Sequence, residues 1–200
     1  MKAATLFRPA VMMFAVWAHA PAAQAADPAA VVTLYGGVGI YSRIGTDNLL
    51  VDLLPAGVER GNRAFGLAVG RDLGPAFGRG DLRCEAEAAV LRHTGRRTHW
   101  EFDGDLLLRW RPRRLGASFA IGDGLSWATR VPELEARRNR TATRLLNHLV
   151  FEAAFDLAGE SGPSLVLRLS HRSGVYGLFD DVSAASNFAL LGWRLPLGRR

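Results

Sequence analysis

The stretch "HWEFDGDLLLRWR", residues 99–111, decides how this chain is read. Its residues alternate. Trp100, Phe102, Leu106, Leu108 and Trp110, with Gly104, fall on one side of an extended strand. Glu101, Asp103, Asp105, Arg109 and Arg111 fall on the other, because successive side chains of a strand point to opposite faces. Three acids and two arginines on one strand face are hard to bury in a sandwich core. They suit the polar interior of a small barrel, where charges pair and the apolar face turns to lipid.

The same period recurs along the chain. In 81–92, Leu82, Cys84, Ala86, Ala88 and Val90 oppose Arg83, Glu85 and Glu87. In 149–157, Phe151, Ala153, Phe155 and Leu157 oppose Val150, Glu152, Ala154 and Asp156. Eight such segments emerge: 31–43, 62–73, 81–92, 99–111, 115–123, 145–158, 163–173 and 186–197. Two stretches are ambiguous. Residues 48–57 either extend the first hairpin or form a short helix, and "LLNHLVFEAAF" also reads as helix. The fold class expected is all-β, an eight-stranded antiparallel up-and-down transmembrane β-barrel.

Residues 1–25 read as a cleaved signal peptide. Lys2 and Arg8 precede and flank a short apolar run from Val11 to Trp17, and Ala23-Gln24-Ala25 has the small-x-small pattern of a cleavage site. Residues 26–200 then form the barrel, and the bacterial outer membrane is the expected location. The formal charge of +6 falls to +4 without that segment, which holds two basic residues and no acid. The remaining basic residues are all Arg, interspersed with acids and without an aromatic-interleaved basic run, so nucleic acid is not an expected partner. The single cysteine, Cys84, permits no internal disulfide and reads as a small packed side chain.

The connections are 44–61, 74–80, 93–98, 112–114, 124–144, 159–162 and 174–185. The second, fourth and sixth are short and rich in Gly, Pro and Arg. The others are mostly long, although 93–98 is brief. This matches short periplasmic turns and long extracellular loops, with both termini periplasmic. The signal segment, the apolar outer face and the interior charges argue against the alternative, a soluble antiparallel barrel. The C-terminal "GWRLPLGRR" keeps the alternation through Trp193, Leu195 and Leu197 but lacks the usual terminal aromatic. Trp100, Trp127, Trp193 and Tyr41 are expected in interfacial girdles.

In the seventh segment Leu165, Leu167, Leu169, His171 and Ser173 share the lipid face, while Val166, Arg168, Ser170 and Arg172 face the lumen. A histidine and serine at the outer-leaflet end of a lipid-facing row are out of place unless they are wet, bonded or working. Side chains two apart on a strand stand about 7 Å apart on one face, near enough to meet.

At this point the chain resembles a known family, the outer-membrane lipid A 3-O-deacylases. The resemblance rests on "SHRS" (170–173), with "HWEFDGDLLLRW", "SFAIGDGLSWATRVPELE" and "RLLNHLVFE" as flanking pieces. It implies a cofactor-free, calcium-independent hydrolase in which Ser173 is the nucleophile and His171 the general base. Lipid A, or lipopolysaccharide, would be the substrate. Two positions depart from the family pattern. Gly174 stands where the family has an oxyanion-hole Asn, leaving backbone N–H groups or another side chain for that role. Ala185 stands where the family has the carboxylate that orients the histidine. Asp180 and Asp181 in the same loop are candidates to replace it, and Glu135 in the loop 124–144 is another. Tyr176 and Phe179 would line the acyl-chain groove. Arg130 and Arg172, with Arg137, Arg138 and Arg140, would hold lipid A phosphates, or simply form a solvated loop face. A barrel that hydrolyses nothing and serves as an envelope or adhesion component is the alternative.

Other motifs are set aside on physical grounds. "GDGLSW" (122–127) has the wrong spacing for a nucleophile elbow. His93 and His99 flank "TGRRT" and, with no nearby ligand constellation, read as a polar turn, so no metal is expected. His148 shares a face with Glu152 and is expected to bond a neighbouring charge in the lumen. Glu152, Glu101, Arg109 and Arg168 are expected to form ion pairs there. Oligomeric state is not legible.

Overall fold

The computed structural model describes residues 30–42, 55–95, 97–138, 142–159, 162–174 and 185–198. The N-terminal segment 1–29, including the expected signal peptide, lies outside them.

Eight strands close on themselves: β1 (Ala30–Ser42), β2 (Pro55–Ala76), β3 (Arg79–Thr94), β4 (His99–Trp110), β5 (Ala117–Ala128), β6 (Leu145–Asp156), β7 (Ser164–Ser173) and β8 (Ala185–Leu197). Each pairs antiparallel with its sequence neighbour, and β8 pairs with β1. Closure leaves no strand edge, so every strand finds backbone partners on both sides. A single helical turn and a half, α1 (Glu133–Arg138), lies between β5 and β6.

Two rims result. The turn rim carries the connections 77–78, 111–116 and 157–163, and the loop rim carries 43–54, 95–98, 129–144 and 174–184. The tightest connection, Phe77-Gly78, joins β2 to β3 with φ of 51° and 70°. Two successive residues in the left-handed region make the turn whose twist matches paired strands.

The burial pattern follows the alternation read from the sequence. Along β4 it runs buried, exposed, buried, exposed from His99 to Leu106. Leu34, Phe65, Leu106, Ile121, Leu167 and Leu191 are apolar and exposed on the outside. Trp100, Trp127 and Tyr41 lie toward the loop rim, and Trp110, Phe119 and Trp193 toward the turn rim, all exposed. An apolar belt between two aromatic girdles is the outer surface of a membrane barrel.

The lumen is filled by charge. Arg109 donates to Glu85 at 2.9 Å, Glu152 at 2.6 Å and Ser118 at 3.1 Å. Arg168 bridges Glu87 and Glu152, and its guanidinium stacks on the Tyr35 ring at 4.5 Å. Arg194 completes the set on Glu85. Three carboxylates thus meet three buried guanidiniums near the turn rim, with the partly exposed Arg111 a fourth at 3.6 Å from Glu85. His148 bonds Asp105 through Nδ1 at 2.9 Å and Ser170 through Nε2 at 2.8 Å, as its face implied. Glu101 pairs with Arg172 at 3.4 Å, apart from the Arg109 and Arg168 network.

Several boundaries differ from the sequence reading. "LLNHLVFEAAF" is strand β6, which pairs with β5 and β7 and so brings His148 and Glu152 to partners on β4 and β7. β5 runs on to Ala128 instead of stopping at 123. Leu125 and Trp127 continue the outward row, and Gly124 lets β4 approach where a Cβ would collide with the Gly104 carbonyl. β2 spans 55–76 and not 62–73, because residues 55–58 pair with the far end of β1 beyond a register shift between Val38 and Ile40.

Candidate active site on the outer face

β7 places the expected pair as its period requires. Val166, Arg168, Ser170 and Arg172 are buried inside, so His171 and Ser173 project outward, both partly buried, near the loop rim. The hydrogen-bonded register then shows what surrounds them. Asn147 of β6 lies opposite Ser173, and Leu149 opposite His171. On the other side, Asn187 of β8 lies opposite His171.

Asn187 is the residue that the sequence reading missed. Its Oδ1 accepts a hydrogen bond from His171 Nδ1 at 2.6 Å, and it is only 2 % exposed although it sits on the outward face. An amide oxygen can only accept, so Nδ1 carries the proton and Nε2 keeps its lone pair. Asn147 donates to Asp123 Oδ1 at 2.6 Å and to the Gly124 carbonyl at 3.1 Å. Asp123, Asn147, Ser173, His171 and Asn187 therefore make a polar row across four strands, bordered on the same face by Leu125, Leu149, Phe151 and Leu169. The only sequence signal for it was polarity breaking the outward period, and at Asp123 that signal was hidden inside the discarded "GDGLSW".

The remaining expected residues fall as follows. Gly174 follows the end of β7 and is buried. Arg130 is exposed beyond β5. Arg172 is not on the lipid side: it is 2 % exposed inside the barrel, with Glu101 at 3.4 Å, Glu135 at 3.5 Å and the Arg144 carbonyl at 2.9 Å. Its inward position in β7 commits its charge to the lumen, away from any lipid phosphate. Glu135 also turns inward: α1 seats its carboxylate in the barrel mouth, where it accepts from Ser186 Oγ at 2.8 Å, separated from His171 by the barrel wall. Burial pushes this carboxyl up to about 6. Tyr176, Phe179, Asp180 and Asp181 lie outside the described residues, as does Arg140, and the side chains of Arg137 and Arg138 do too. Ala185 opens β8 directly opposite Ser173.

His93 and His99 do not form a polar turn. They face each other across β3 and β4 with stacked rings inside the barrel, beside Glu101.

Fold and surface together define a class, a closed eight-stranded antiparallel barrel of the outer-membrane type. The outer-membrane enzyme PagL shares it, with a TM-score of 0.59 over 84 % of this chain and 99 % of that one at 13 % identity. So does the N-terminal β-barrel domain of Pseudomonas aeruginosa OprF, with a TM-score of 0.50 over 84 % and 97 % at 9 % identity. At these identities the likeness is one of fold. The sequence matches no protein-family profile and no curated protein.

Proposed function

We propose that this protein is an outer-membrane esterase that removes an ester-linked acyl chain from lipid A, using Ser173 and His171 on the lipid-facing wall. The observation that carries the reading is the His171–Asn187 hydrogen bond of 2.6 Å within a polar row on an apolar face. Buried polar groups in such a setting are expensive unless they are paired, and here the pairing fixes the tautomer that a general base needs. The barrel shared with an outer-membrane enzyme supports it further.

In this mechanism Ser173 Oγ attacks the ester carbonyl while His171 Nε2 takes its proton. The tetrahedral adduct collapses, the proton passes to the departing sugar hydroxyl, and the acyl chain remains on Ser173. Water, deprotonated by His171, then releases the fatty acid. Asn187 orients the imidazole in place of the carboxylate that Ala185 lacks. The backbone N–H of Gly174 serves the oxyanion. Tyr176 and Phe179 flank the acyl chain and Arg130 meets a phosphate from the loop side. Asp180 and Asp181 remain the candidates from the same connection to supply a carboxylate, and Asp180→Ala with Asp181→Ala tests them.

The test is lipid A mass spectrometry in cells expressing the protein. One ester-linked acyl chain should disappear, and Ser173→Ala should restore the full set while the barrel still migrates as a folded species. An unchanged lipid A profile with wild-type protein in the outer membrane would sink the hydrolase reading and leave a non-catalytic envelope barrel.

A further inference from the structure

The lumen carries a second cluster that hydrolysis on the outer wall does not use. At its loop-rim end, Glu101, Asp103, Asp105 and Glu135 are all buried, and Arg172 is the buried guanidinium among them. Near the turn rim guanidiniums match or exceed carboxylates; here carboxylates outnumber guanidiniums. Three histidines, His93, His99 and His148, fill the space between. The two Asp103 oxygens, both His93 nitrogens and His99 Nε2 are buried without a hydrogen-bond partner. Polar atoms left so in a closed interior call for a ligand that the protein itself does not supply.

We propose that His93, His99 and Glu101 form a binding site for a zinc-like divalent transition-metal ion. The residues are 4 %, 5 % and 3 % exposed, and one donor atom from each lies within 4.8 Å of the others. His93 and His99 are direct cross-strand partners, with parallel rings 4.4 Å apart. Glu101 is two positions along β4 from His99, so it shares the inward face. His99 Nδ1 donates to the Arg97 carbonyl at 3.1 Å. That bond leaves Nε2 with a free lone pair, the arrangement that holds metal-binding histidines in place. His93 Nε2 lies 3.2 Å from Glu101 Oε2 but is not aligned as a hydrogen bond. A metal between them would satisfy both.

Tetrahedral bonds of about 2.0–2.1 Å bring donors to roughly 3.4 Å apart, so shifts of about 1 Å in side-chain position would close the site. Two imidazoles and one carboxylate suit zinc, nickel or copper, whereas magnesium and calcium favour all-oxygen sets. The fourth position would be met from a cleft at the loop rim, lined by Asn62, Arg97, Pro132, Glu133 and Phe188 beside the two histidines. Strand β4 alone brings two of the three ligands, and the β3–β4 hairpin brings the third. The site is therefore built into the barrel wall, independent of the loops around Ser173.

The experiment uses the full chain folded in detergent micelles and stripped with chelator. Titration with zinc chloride, followed by calorimetry, should show one ion per chain, and cobalt(II) should give the visible bands of a tetrahedral nitrogen–oxygen site that zinc abolishes. Magnesium and calcium should give neither. His99→Gln and Glu101→Gln should each weaken zinc by about a hundredfold, while His148→Gln, which bonds Asp105 instead, should not. In wild-type protein the imidazole nitrogen resonances of two histidines should shift on zinc addition, a readout that needs no variant to fold. No stoichiometric zinc on the wild type, or equal affinity in a folded His99→Gln protein, would overturn the site. Zinc lost through His148→Gln alone would place it on the neighbouring Glu101–Asp103–His148 group and overturn it equally.

Discussion

Asn187 shows how a histidine can be oriented without an acid. Its amide oxygen accepts from Nδ1 but brings no charge, so in the proposed mechanism it would not steady the imidazolium formed when Ser173 gives up its proton. Asn187→Asp should therefore raise deacylation, by about tenfold, and Asn187→Ala should lower it, both read as the rate of acyl release from lipid A in micelles. If the two variants behave alike, Asn187 does not position His171. A second prediction concerns Glu135, whose folded carboxyl titrates near 6 against an ordinary value of 4.5. A raised carboxyl favours folding when protonated. The advantage is full below about 4.5 and lost as pH climbs through about 6, a change of up to about 2 kcal/mol. Wild-type unfolding midpoints in urea should fall across that window, and Glu135→Gln should flatten the fall.

At the scale of the element, β7 carries opposite chemistries on its two sides. Arg168 and Arg172 are clamped inside, while Leu165, Leu167 and Leu169 lead outward to His171 and Ser173. The clamps fix the strand's register, because a slip by one residue would send both guanidiniums into lipid. Leu167 is half exposed in the outward row, midway along the strand. Leu167→Arg should cost about 2–4 kcal/mol if that row meets hydrocarbon. The check is the equilibrium unfolding of the barrel in lipid vesicles, and a near-neutral effect would contradict the membrane orientation. The loop 129–144 is the complementary element. It lays α1 over the mouth and inserts Glu135 between Ser186 and Arg172, thereby tying the loop rim to the lumen.

The whole molecule is held by two interiors of different character. Near the turn rim, Arg109 is fully enclosed by Glu85, Glu152 and Ser118. Arg109→Leu strips a buried guanidinium from two carboxylates, leaving Glu85 to Arg194 and Glu152 to Arg168, so about 3–5 kcal/mol should be lost. The thermal midpoint of folded-species migration reads this directly. Replacing Glu85, Glu152, Arg109 and Arg194 together by apolar residues of similar size, which leaves Arg168 on Glu87, should recover much of the loss, because the penalty belongs to the unpaired charges. Near the loop rim the interior is rich in carboxylate and imidazole with unmet bonds. Ser173, His171 and the stacked histidines His93 and His99 all lie in the loop-rim half.

Alternation along single strands was sufficient to show the barrel, its inward and outward faces, and the outward placement of His171 and Ser173, since a strand's period is local. His148 bonding a lumen acid and the Glu152 pairs with Arg109 and Arg168 followed from the same faces. What the sequence could not show was register across strands. Asn187 lies sixteen positions from His171, and nothing along the chain marks it as opposite. Asp123 and Asn147 join the polar row only when β5 and β6 pair. His93 and His99 flank what read as a turn, yet hydrogen bonding between β3 and β4 stacks them inside beside Glu101. The faces came from residue type and period; the partners came from strand pairing and barrel closure, which bring together side chains that the sequence keeps apart.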